Sequence, residues 1–332
     1  MLGTLRLILA LTVAASHTGL QLGGFNPGVV AVIGFYLISG YVMAGLLRRH
    51  YSCVAQVPVF FLDRAVRLLP QYLLYAGLTL AWHFYSGLHT PFLNHTPSSL
   101  DLLNNLLIVP LNYYMFNGMD SFTLIPPTWS LGAEIQFYLI APFIVLWPWR
   151  MLSVGALSLG VYTAALGGLL NSDWFGYRLL PGVLLFFMLG ASLQHQHHNR
   201  QHSRALLTTV CVSALATSAL VLLYISDELR QPYRIETLLG LIVGLIVVHG
   251  LASQPPNRGD TFAGDLSYGV FLNHFFIMWV LYPQGVEGSQ LAGFLVLSVA
   301  LSWVTQWLVE RPLLKVRHRL RKLPDRSPQS IT

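Results

Sequence analysis

The stretch LRLILALTVAASHTG, residues 5–19, decides the fold, because it is an apolar run of the kind that enters a lipid bilayer. It nevertheless carries Arg6 near one end and His17 near the other. A separation of 11 residues is about three helical turns, so a helix presents both side chains on one face, about 16 Å apart along its axis. Ionisable side chains inside membrane helices are costly and tend to mark functional sites, so both residues are candidates.

Similar apolar runs recur along the whole chain. Of the 332 residues, 54% are hydrophobic and only 10% are charged, whereas soluble domains average about 25% charged residues. The composition predicts an all-α fold: a polytopic, multi-pass integral membrane protein with about ten transmembrane helices. The predicted spans lie near 2–20, 27–47, 67–85, 130–148, 151–170, 179–194, 204–225, 235–252, 262–283 and 289–310. A cleaved signal peptide is the alternative for the first of them.

Lysine and arginine are distributed unevenly between the two sets of loops. With the N-terminus inside, the inner loops and the tail hold 15 of these residues and the outer loops hold 3. The positive-inside rule therefore predicts cytoplasmic N- and C-termini, with a transmembrane domain over 1–315 and a basic, disordered cytoplasmic tail over 316–332. This distribution accounts for the net charge of +6, so no nucleic-acid partner is predicted. Two cysteines, Cys53 and Cys211, are too few for a metal cluster, and no metal site is predicted.

Two further stretches place charge at membrane depth. In FFLDRAVRLLPQY, residues 60–72, Arg64 and Arg67 share one helix face, where two guanidinium groups can bind phosphates; the alternative is a positive-inside anchor. In PPTWSLGAEIQFYLIAPF, residues 126–143, Glu134 is expected at a depth similar to that of His17, where a carboxylate would fix the tautomer of the imidazole. The alternatives are a helix N-terminal preference for Glu134, a snorkelling anchor for Arg6 and a structural histidine at 17.

Two other segments remain open to more than one interpretation. The segment 102–114, LLNNLLIVPLNYY, is apolar but interrupted by polar residues and a proline, and we interpret it as an interfacial or re-entrant piece of a long loop. His274, near the middle of its predicted span, either lines a cavity or belongs to the core.

Six motifs in order resemble those of acyltransferase family 3, the membrane O-acyltransferases. They are Arg6 and His17 separated by ten residues, FYLISGY at 35–41, RAVRLLP at 64–70, TWSLGAEIQFY at 128–138, SYGVFLNH at 267–274 and Glu310-Arg311-Pro312. The chain departs from the family pattern at Ile135, where many members have a second Glu, and at Asn273, where many have Trp. These 332 residues do not include the hydrolase-like domain found in many members, so any second step is expected to fall to another protein.

The resemblance implies transfer of an acyl group, usually acetyl, from cytoplasmic acyl-CoA to a hydroxyl of a carbohydrate or glycoconjugate on the extracytoplasmic side. Acetyl-CoA would be a co-substrate, with no permanently bound cofactor, and the other partners would be a glycan or glycolipid acceptor and the bilayer. The expected catalytic residues are His17 and Glu134, and the expected donor-binding residues are Arg6, Arg64 and Arg67. Candidate pocket residues are Ser39, Trp129, Ser130, Tyr138 and His274.

Two functions of other classes are alternatives to the enzyme. A transporter or flippase would use Arg6, His17 and Glu134 as a substrate or proton path. The chain shows no inverted repeat of broken helices, which counts against that function. A membrane scaffold or sensor without chemistry is the third possibility. Acyl length, acceptor and oligomeric state are not predicted.

Overall fold

A computed structural model describes residues 1–226 and 231–320, and the regular structure of this part is helical. Its α-helices are α1 (Leu2–Ser16), α2 (Pro27–His50), α3 (Val57–Ser86), α4 (Ser99–Leu107), α5 (Tyr114–Asn117), α6 (Thr128–Ile144), α7 (Pro148–Leu166), α8 (Leu180–His198), α9 (His202–Ile225), α10 (Arg234–Ala252), α11 (Arg258–Leu281), α12 (Leu291–Thr305) and α13 (Arg311–Leu320). A π-helical turn, Trp174–Arg178, precedes α8, and another, Gln306–Glu310, joins α12 to α13.

Each of the ten predicted windows coincides with one long helix. Within the described part of the chain, five helical segments are long and apolar enough to cross a membrane: Pro27–His50, Trp174–His198, His202–Ile225, Arg234–Ala252 and Gly288–Leu314. Along α9, large apolar side chains such as Leu207, Leu215 and Ile225 are more than half exposed, as expected of a surface that contacts lipid. The protein is therefore an integral membrane protein, while the count of ten spans stays a prediction.

Local sequence explains where the long helices begin and end. At the start of α2 the side chain of Asn26 accepts a hydrogen bond from the Gly28 amide at 2.9 Å, and Pro27 occupies the first turn. The last turn of α2 carries Arg48, Arg49 and His50, which favour the negative end of the helix dipole. This cationic end of α2 lies beside Arg6, since Arg49 and Arg6 line the same cavity. We call this the arginine end of the bundle and the opposite end, which contains His17, the histidine end.

Helices α2 and α8 pack closely because both have a glycine at the contact. A Cβ atom on Gly40 would lie 1.9 Å from the Phe187 carbonyl oxygen, and one on Gly190 would lie 1.9 Å from the Leu37 carbonyl oxygen. Small residues allow such close backbone approach in membrane proteins, where dispersion contacts hold helices together. Gly40 belongs to the FYLISGY motif, so that motif supplies the close contact between α2 and α8.

The loop between α3 and α6 folds back against α6. Its short 3₁₀ segment, Val109–Tyr113, follows α4, and the Tyr113 hydroxyl donates to Gln136 at 2.6 Å while Gln136 donates to Asn112 at 2.9 Å. These contacts hold the loop against α6, while the interpretation of 102–114 as an interfacial or re-entrant piece stays a prediction. At the other end of the chain, α13 extends to Leu320, and most of the predicted tail, residues 321–332, lies outside the described residues.

Candidate active site

Four cavities lie in series between the two ends of the bundle, and neighbouring cavities share lining residues. The arginine cavity, of about 630 Å³, contains Arg6, Arg64 and Arg67. The linking cavity, of about 50 Å³, contains Arg6, Phe35 and Ser130. The histidine cavity, of about 190 Å³, contains His17, Asn26 and Tyr177, and the loop cavity, of about 250 Å³, contains His17, Phe92 and Asp120.

The shared residues show that each cavity lies next to the following one. The arginine and linking cavities share Arg6, Ser39, Glu134 and Tyr268; the linking and histidine cavities share Val32, Ser130 and Phe271; the histidine and loop cavities share His17, Trp129 and Arg178. Arg6 and His17 therefore face one series of cavities, as their helical spacing predicts. The cation lines the two cavities nearer the arginine end, and the imidazole lines the two nearer the histidine end.

In the arginine cavity, two of the three predicted donor-binding cations have a carboxylate partner. Arg64 donates to the neighbouring buried carboxylate of Asp63, and Arg67 donates to Glu310. The guanidinium of Arg67 also lies 5.7 Å from the centre of the Tyr268 ring. The RAVRLLP, SYGVFLNH and Glu-Arg-Pro motifs thus meet around a single cation.

Arg6 is the exception among the predicted cations. Within the described residues its Nε atom is buried without a hydrogen-bond partner, and no salt bridge to it is present. Two further arginines, Arg49 and Arg317, also line the cavity, and Arg317 donates to Asp63 at 3.2 Å. The sequence predicts Arg49 and Arg317 only as positive-inside charges, because their place in a cavity depends on long-range packing.

Glu134 lies beside Arg6 in the cavities and has partners other than His17. Its carboxylate accepts hydrogen bonds from the Ser39 hydroxyl and, at 2.5 Å, from the Tyr138 hydroxyl. Glu134 is six residues into α6, about 9 Å from its start, whereas His17 is the residue that caps the end of α1. The expectation that both lie at one depth and pair is therefore corrected: the carboxylate lies deeper.

His17 has an imidazole partner instead. Its Nδ1 lies 3.2 Å from His274 Nε2, and the two rings are stacked with their centres 5.1 Å apart. His274 Nδ1 lies 3.1 Å from the Val270 carbonyl oxygen, which can only accept. His274 Nδ1 therefore carries the proton, and its Nε2 accepts the hydrogen of His17 Nδ1. This leaves the Nε2 lone pair of His17 available in the cavity, as a general base requires.

The five candidate pocket residues separate into two groups. Ser39, Trp129, Ser130 and Tyr138 line cavities of the series. His274 is fully buried, lines none of the four cavities and acts through its contact with His17. Among the described contacts, the departure at Asn273 is structural, because its amide donates to the Ser298 carbonyl at 2.9 Å and it lines none of these cavities.

Arg178 also lies in the site, although the sequence predicts it only as one of the three basic residues of the outer loops. It lines both cavities that contain His17, together with Trp129. Its guanidinium lies 4.5 Å from the centre of the Trp129 ring. In the sequence, Arg178 is far from the TWSLGAEIQFY motif and lies next to it only in the folded protein. No pattern in the sequence therefore marks it as more than a charged loop residue.

Comparison with known proteins agrees with the motifs. A family model described as an acyltransferase domain, that of acyltransferase family 3, matches residues 2–307. A protein of Aquifex aeolicus (strain VF5), described as uncharacterized, is 35% identical over 59% of this chain and 90% of its own length. No solved structure matches the chain.

Several relatives have names that state an O-acetyltransferase activity. The peptidoglycan O-acetyltransferase OatA of Listeria monocytogenes is 24% identical, over 84% of this chain and 49% of its own length. YrhL of Bacillus subtilis (strain 168), whose name gives peptidoglycan O-acetyltransferase provisionally, is 26% identical over 93% of this chain and 54% of its own length. The chain thus spans about half the length of these two curated relatives.

Proposed function

This chain belongs to the acyltransferase 3 family, and from that premise we propose that it is a membrane O-acetyltransferase. It would take the acetyl group from cytoplasmic acetyl-CoA, or another acyl-CoA, and transfer it to a hydroxyl of a carbohydrate or glycoconjugate on the extracytoplasmic side. The observation that carries this proposal is the series of four adjacent cavities, in which Arg6 lines the first two and His17 lines the last two.

The proposal includes the orientation of the chain. With ten spans and both termini in the cytoplasm, the arginine end faces the cytoplasm and the histidine end faces outward. The distribution of 15 basic residues on inner segments and 3 on outer segments supports this arrangement. The location would be the bacterial plasma membrane, where acyl-CoA is present on the cytoplasmic side only.

The donor would bind in the arginine cavity. Coenzyme A carries several phosphates, and guanidinium groups bind phosphate through paired, charge-assisted hydrogen bonds. Arg6 and Arg49 offer donors without carboxylate partners among the described residues, while Arg64 and Arg67 are held in place by Asp63 and Glu310. The acyl-bearing arm would then follow the linking cavity past Ser130 towards His17.

The chemistry would take place at His17. Its Nε2 takes the proton of the acceptor hydroxyl while the hydroxyl oxygen bonds to the thioester carbon and the carbonyl electrons move to oxygen. When the carbonyl re-forms, the carbon–sulfur bond breaks, and the thiolate takes the proton from His17. The products are the acetyl ester and coenzyme A, and the imidazole returns to its starting state. A transient acetyl-histidine is the second route to the same products.

Glu134 would act at the linking cavity rather than on the imidazole. Its carboxylate lies on the path that the donor arm would follow, beside Arg6, and it is held by Ser39 and Tyr138. In that place it would balance the charge of Arg6 and orient the hydroxyl groups along the path. The catalytic role expected from the sequence thus becomes a role in the passage of the donor.

The acceptor would enter from the loop cavity. This cavity has aromatic walls, Phe92, Tyr114 and Trp129, together with the carboxylate of Asp120. Aromatic faces with a few polar groups suit a sugar ring, which has apolar C–H faces and polar edges. The glycan acceptors named for the relatives are consistent with this class of ligand.

The proposal is tested with purified protein and acetyl-CoA labelled in the acetyl group. Wild-type protein is expected to hydrolyse the donor slowly and to label a glycan acceptor. His17→Ala should insert normally and lose transfer by at least about 100-fold, the contribution typical of a general base. The matched control is His89→Ala, an exposed histidine of the loop after α3 that lines none of the described cavities.

Two outcomes would contradict the proposal. His17→Ala protein that still transfers acetyl at the wild-type rate would remove the catalytic assignment. Wild-type protein that neither hydrolyses nor transfers the label, but moves a solute or lipid across a vesicle membrane, would support the transporter alternative.

A further inference from the structure

Arg178 lies where the two outer cavities meet. Of the residues that the structure describes, three line both the histidine and the loop cavities: His17, Trp129 and Arg178. Two of them have an evident part in the proposed site, since one is the base and the other is an aromatic wall. The third is a guanidinium in the immediate surroundings of the imidazole, and neither the family comparison nor the proposed function gives it a role.

Aromatic rings and one carboxylate hold this guanidinium in place. Its Nε donates to Asp173 at 2.6 Å. The guanidinium carbon lies 4.5 Å from the Trp129 ring centre, 5.0 Å from that of Tyr177 and 5.8 Å from that of Tyr233. Stacking of this kind stabilises a cation and leaves the edge of its plane free for hydrogen bonds.

The backbone beneath the guanidinium is also fixed. The side-chain amide of Asn112, which is fully buried, donates to the Trp129 carbonyl at 3.0 Å and to the Arg178 carbonyl at 3.1 Å. Arg178 ends a π-helical turn, and Tyr233 adopts φ 63°, which is uncommon for a residue with a bulky side chain. One amide thus joins the two segments that carry the tryptophan and the arginine.

Within residues 1–226 and 231–320, the terminal nitrogens of Arg178 have no hydrogen-bond partner. Among the described residues the hydrogen bond of its side chain is the one from Nε to Asp173, so Nη1 and Nη2 have no partner. The side chain is only 13% exposed, and the surface it exposes faces the two cavities. A nearly buried cation with unsatisfied donors points to a ligand that bears negative charge during binding or reaction.

We propose that Arg178 is the oxyanion donor of the reaction, a role that rests on the proposed function of the site. As the acceptor oxygen bonds to the thioester carbon, the carbonyl oxygen gains the electron pair of its π bond. Nη1 and Nη2 of Arg178 donate hydrogen bonds to this oxygen until the carbonyl re-forms and the thiolate leaves. The proton moves from the acceptor to His17 and then to the thiolate, and Arg178 keeps its protons throughout.

Position favours the reacting carbonyl over a remote group of the acceptor. A residue that recognised a distant carboxylate of a glycan would line the loop cavity alone, because that cavity leads away from the linking cavity. Arg178 instead lines both cavities together with the base. Its rigid support by Asn112 and the aromatic rings also fits a preorganised donor, which gains its effect by not having to reorient during the reaction.

The test compares kinetics of Arg178→Gln and Arg178→Lys with labelled acetyl-CoA, with and without a glycan acceptor. Arg178→Gln is expected to lower kcat for transfer and for donor hydrolysis by about 100- to 1,000-fold, with KM for both substrates within about 3-fold of wild type. Arg178→Lys keeps the charge without the planar group and should fall between. The control is Arg150→Gln, which removes a guanidinium stacked on Trp147 and Trp149 and lining none of the described cavities.

The outcomes separate this inference from the proposed function. If wild-type protein transfers acetyl and Arg178→Gln matches it, the oxyanion role is wrong while the function stands. If Arg178→Gln raises the acceptor KM and leaves donor hydrolysis unchanged, Arg178 binds the acceptor and the oxyanion role is also overturned. If wild-type protein has no activity with acetyl-CoA, the proposed function itself fails. Thermal unfolding of Arg178→Gln in detergent within about 3 °C of wild type excludes misfolding as the cause of a lower kcat.

Discussion

His274 receives the hydrogen of His17 Nδ1 across 3.2 Å, while its own Nδ1 donates to the Val270 carbonyl at 3.1 Å. A backbone carbonyl can only accept a hydrogen bond, so the proton of His274 is on its Nδ1. The Nε2 of His274 must then accept, which places the proton of His17 on its own Nδ1. The consequence is an imidazole whose Nε2 lone pair faces the cavities. Helix α11 thus sets the tautomer of His17 through two consecutive hydrogen bonds, one to His274 and one from His274 to the Val270 carbonyl.

The role of His274 predicts different results for two substitutions. His274→Gln keeps an acceptor oxygen near His17 and should retain at least about a tenth of the transfer rate. His274→Leu removes the acceptor, so the rate should fall by about 100-fold, within the range of general acid–base effects. The pH profile of kcat should shift in the Leu variant and not in the Gln variant. Equal losses and unchanged profiles in both would indicate a packing role only.

Variants of the ion pair between Arg67 and Glu310 should show different effects on protein stability and on the binding of acetyl-CoA. Both side chains are nearly buried, at 12% and 7% exposure, so Glu310→Gln should lower the free energy of unfolding by about 3 kcal/mol, because it leaves a buried cation unpaired. Arg67→Met combined with Glu310→Met should recover most of that loss in detergent melting curves. The KM for acetyl-CoA should stay raised in the double variant; a normal KM would contradict a donor role for Arg67.

Close packing of α2 on α8 predicts that a single methyl group at Gly40 disturbs the fold. The added Cβ would meet the Phe187 carbonyl, which is backbone and cannot turn away. Gly40→Ala should therefore destabilise the protein by about 1–3 kcal/mol, seen as a lower melting temperature. Gly77→Ala is the control, since a Cβ there has nothing within 4 Å. Equal melting temperatures for the two variants would show that the helices do not approach so closely.

The orientation predicts which face of the membrane exposes each end of the bundle. Cys53 is exposed in the loop between α2 and α3 at the arginine end, and Leu169 is 84% exposed in the turn after α7 at the histidine end. With Cys211 replaced by Ser, an impermeant maleimide should label Cys53 in inverted vesicles and not in intact cells. With Cys53 also replaced, Leu169→Cys should show the reverse. The opposite pattern would invert the proposed topology.

Sequence periodicity predicted the helices well, because a bilayer requires long continuous apolar runs whose ends carry polar residues. It also predicted that Arg6 and His17 face the same way, since both lie on one helix and 3.6 residues per turn fixes their relative direction. The placement of Arg64 and Arg67 in one cavity followed for the same reason. Relationships within one helix were thus available from the residues alone.

Relationships between helices were not available in this way. The pairing of Glu134 with His17 was expected from two estimated depths, and the difference of about two turns placed the carboxylate beside Arg6 instead. The contacts of His17 with His274, and of Arg67 with Glu310, join residues more than 200 positions apart. Arg178 ends a π-helical turn that places it in the site, and the hydrophobic periodicity of the sequence does not predict such a turn.

The most direct test of the account places donor and acceptor on opposite sides of a membrane. Vesicles that hold a glycan acceptor inside and carry the protein with its arginine end outward receive labelled acetyl-CoA from the outside only. The account predicts label on the enclosed glycan with wild-type protein and at least about 100-fold less with His17→Ala. Label on the glycan only when donor and acceptor share one side would contradict it.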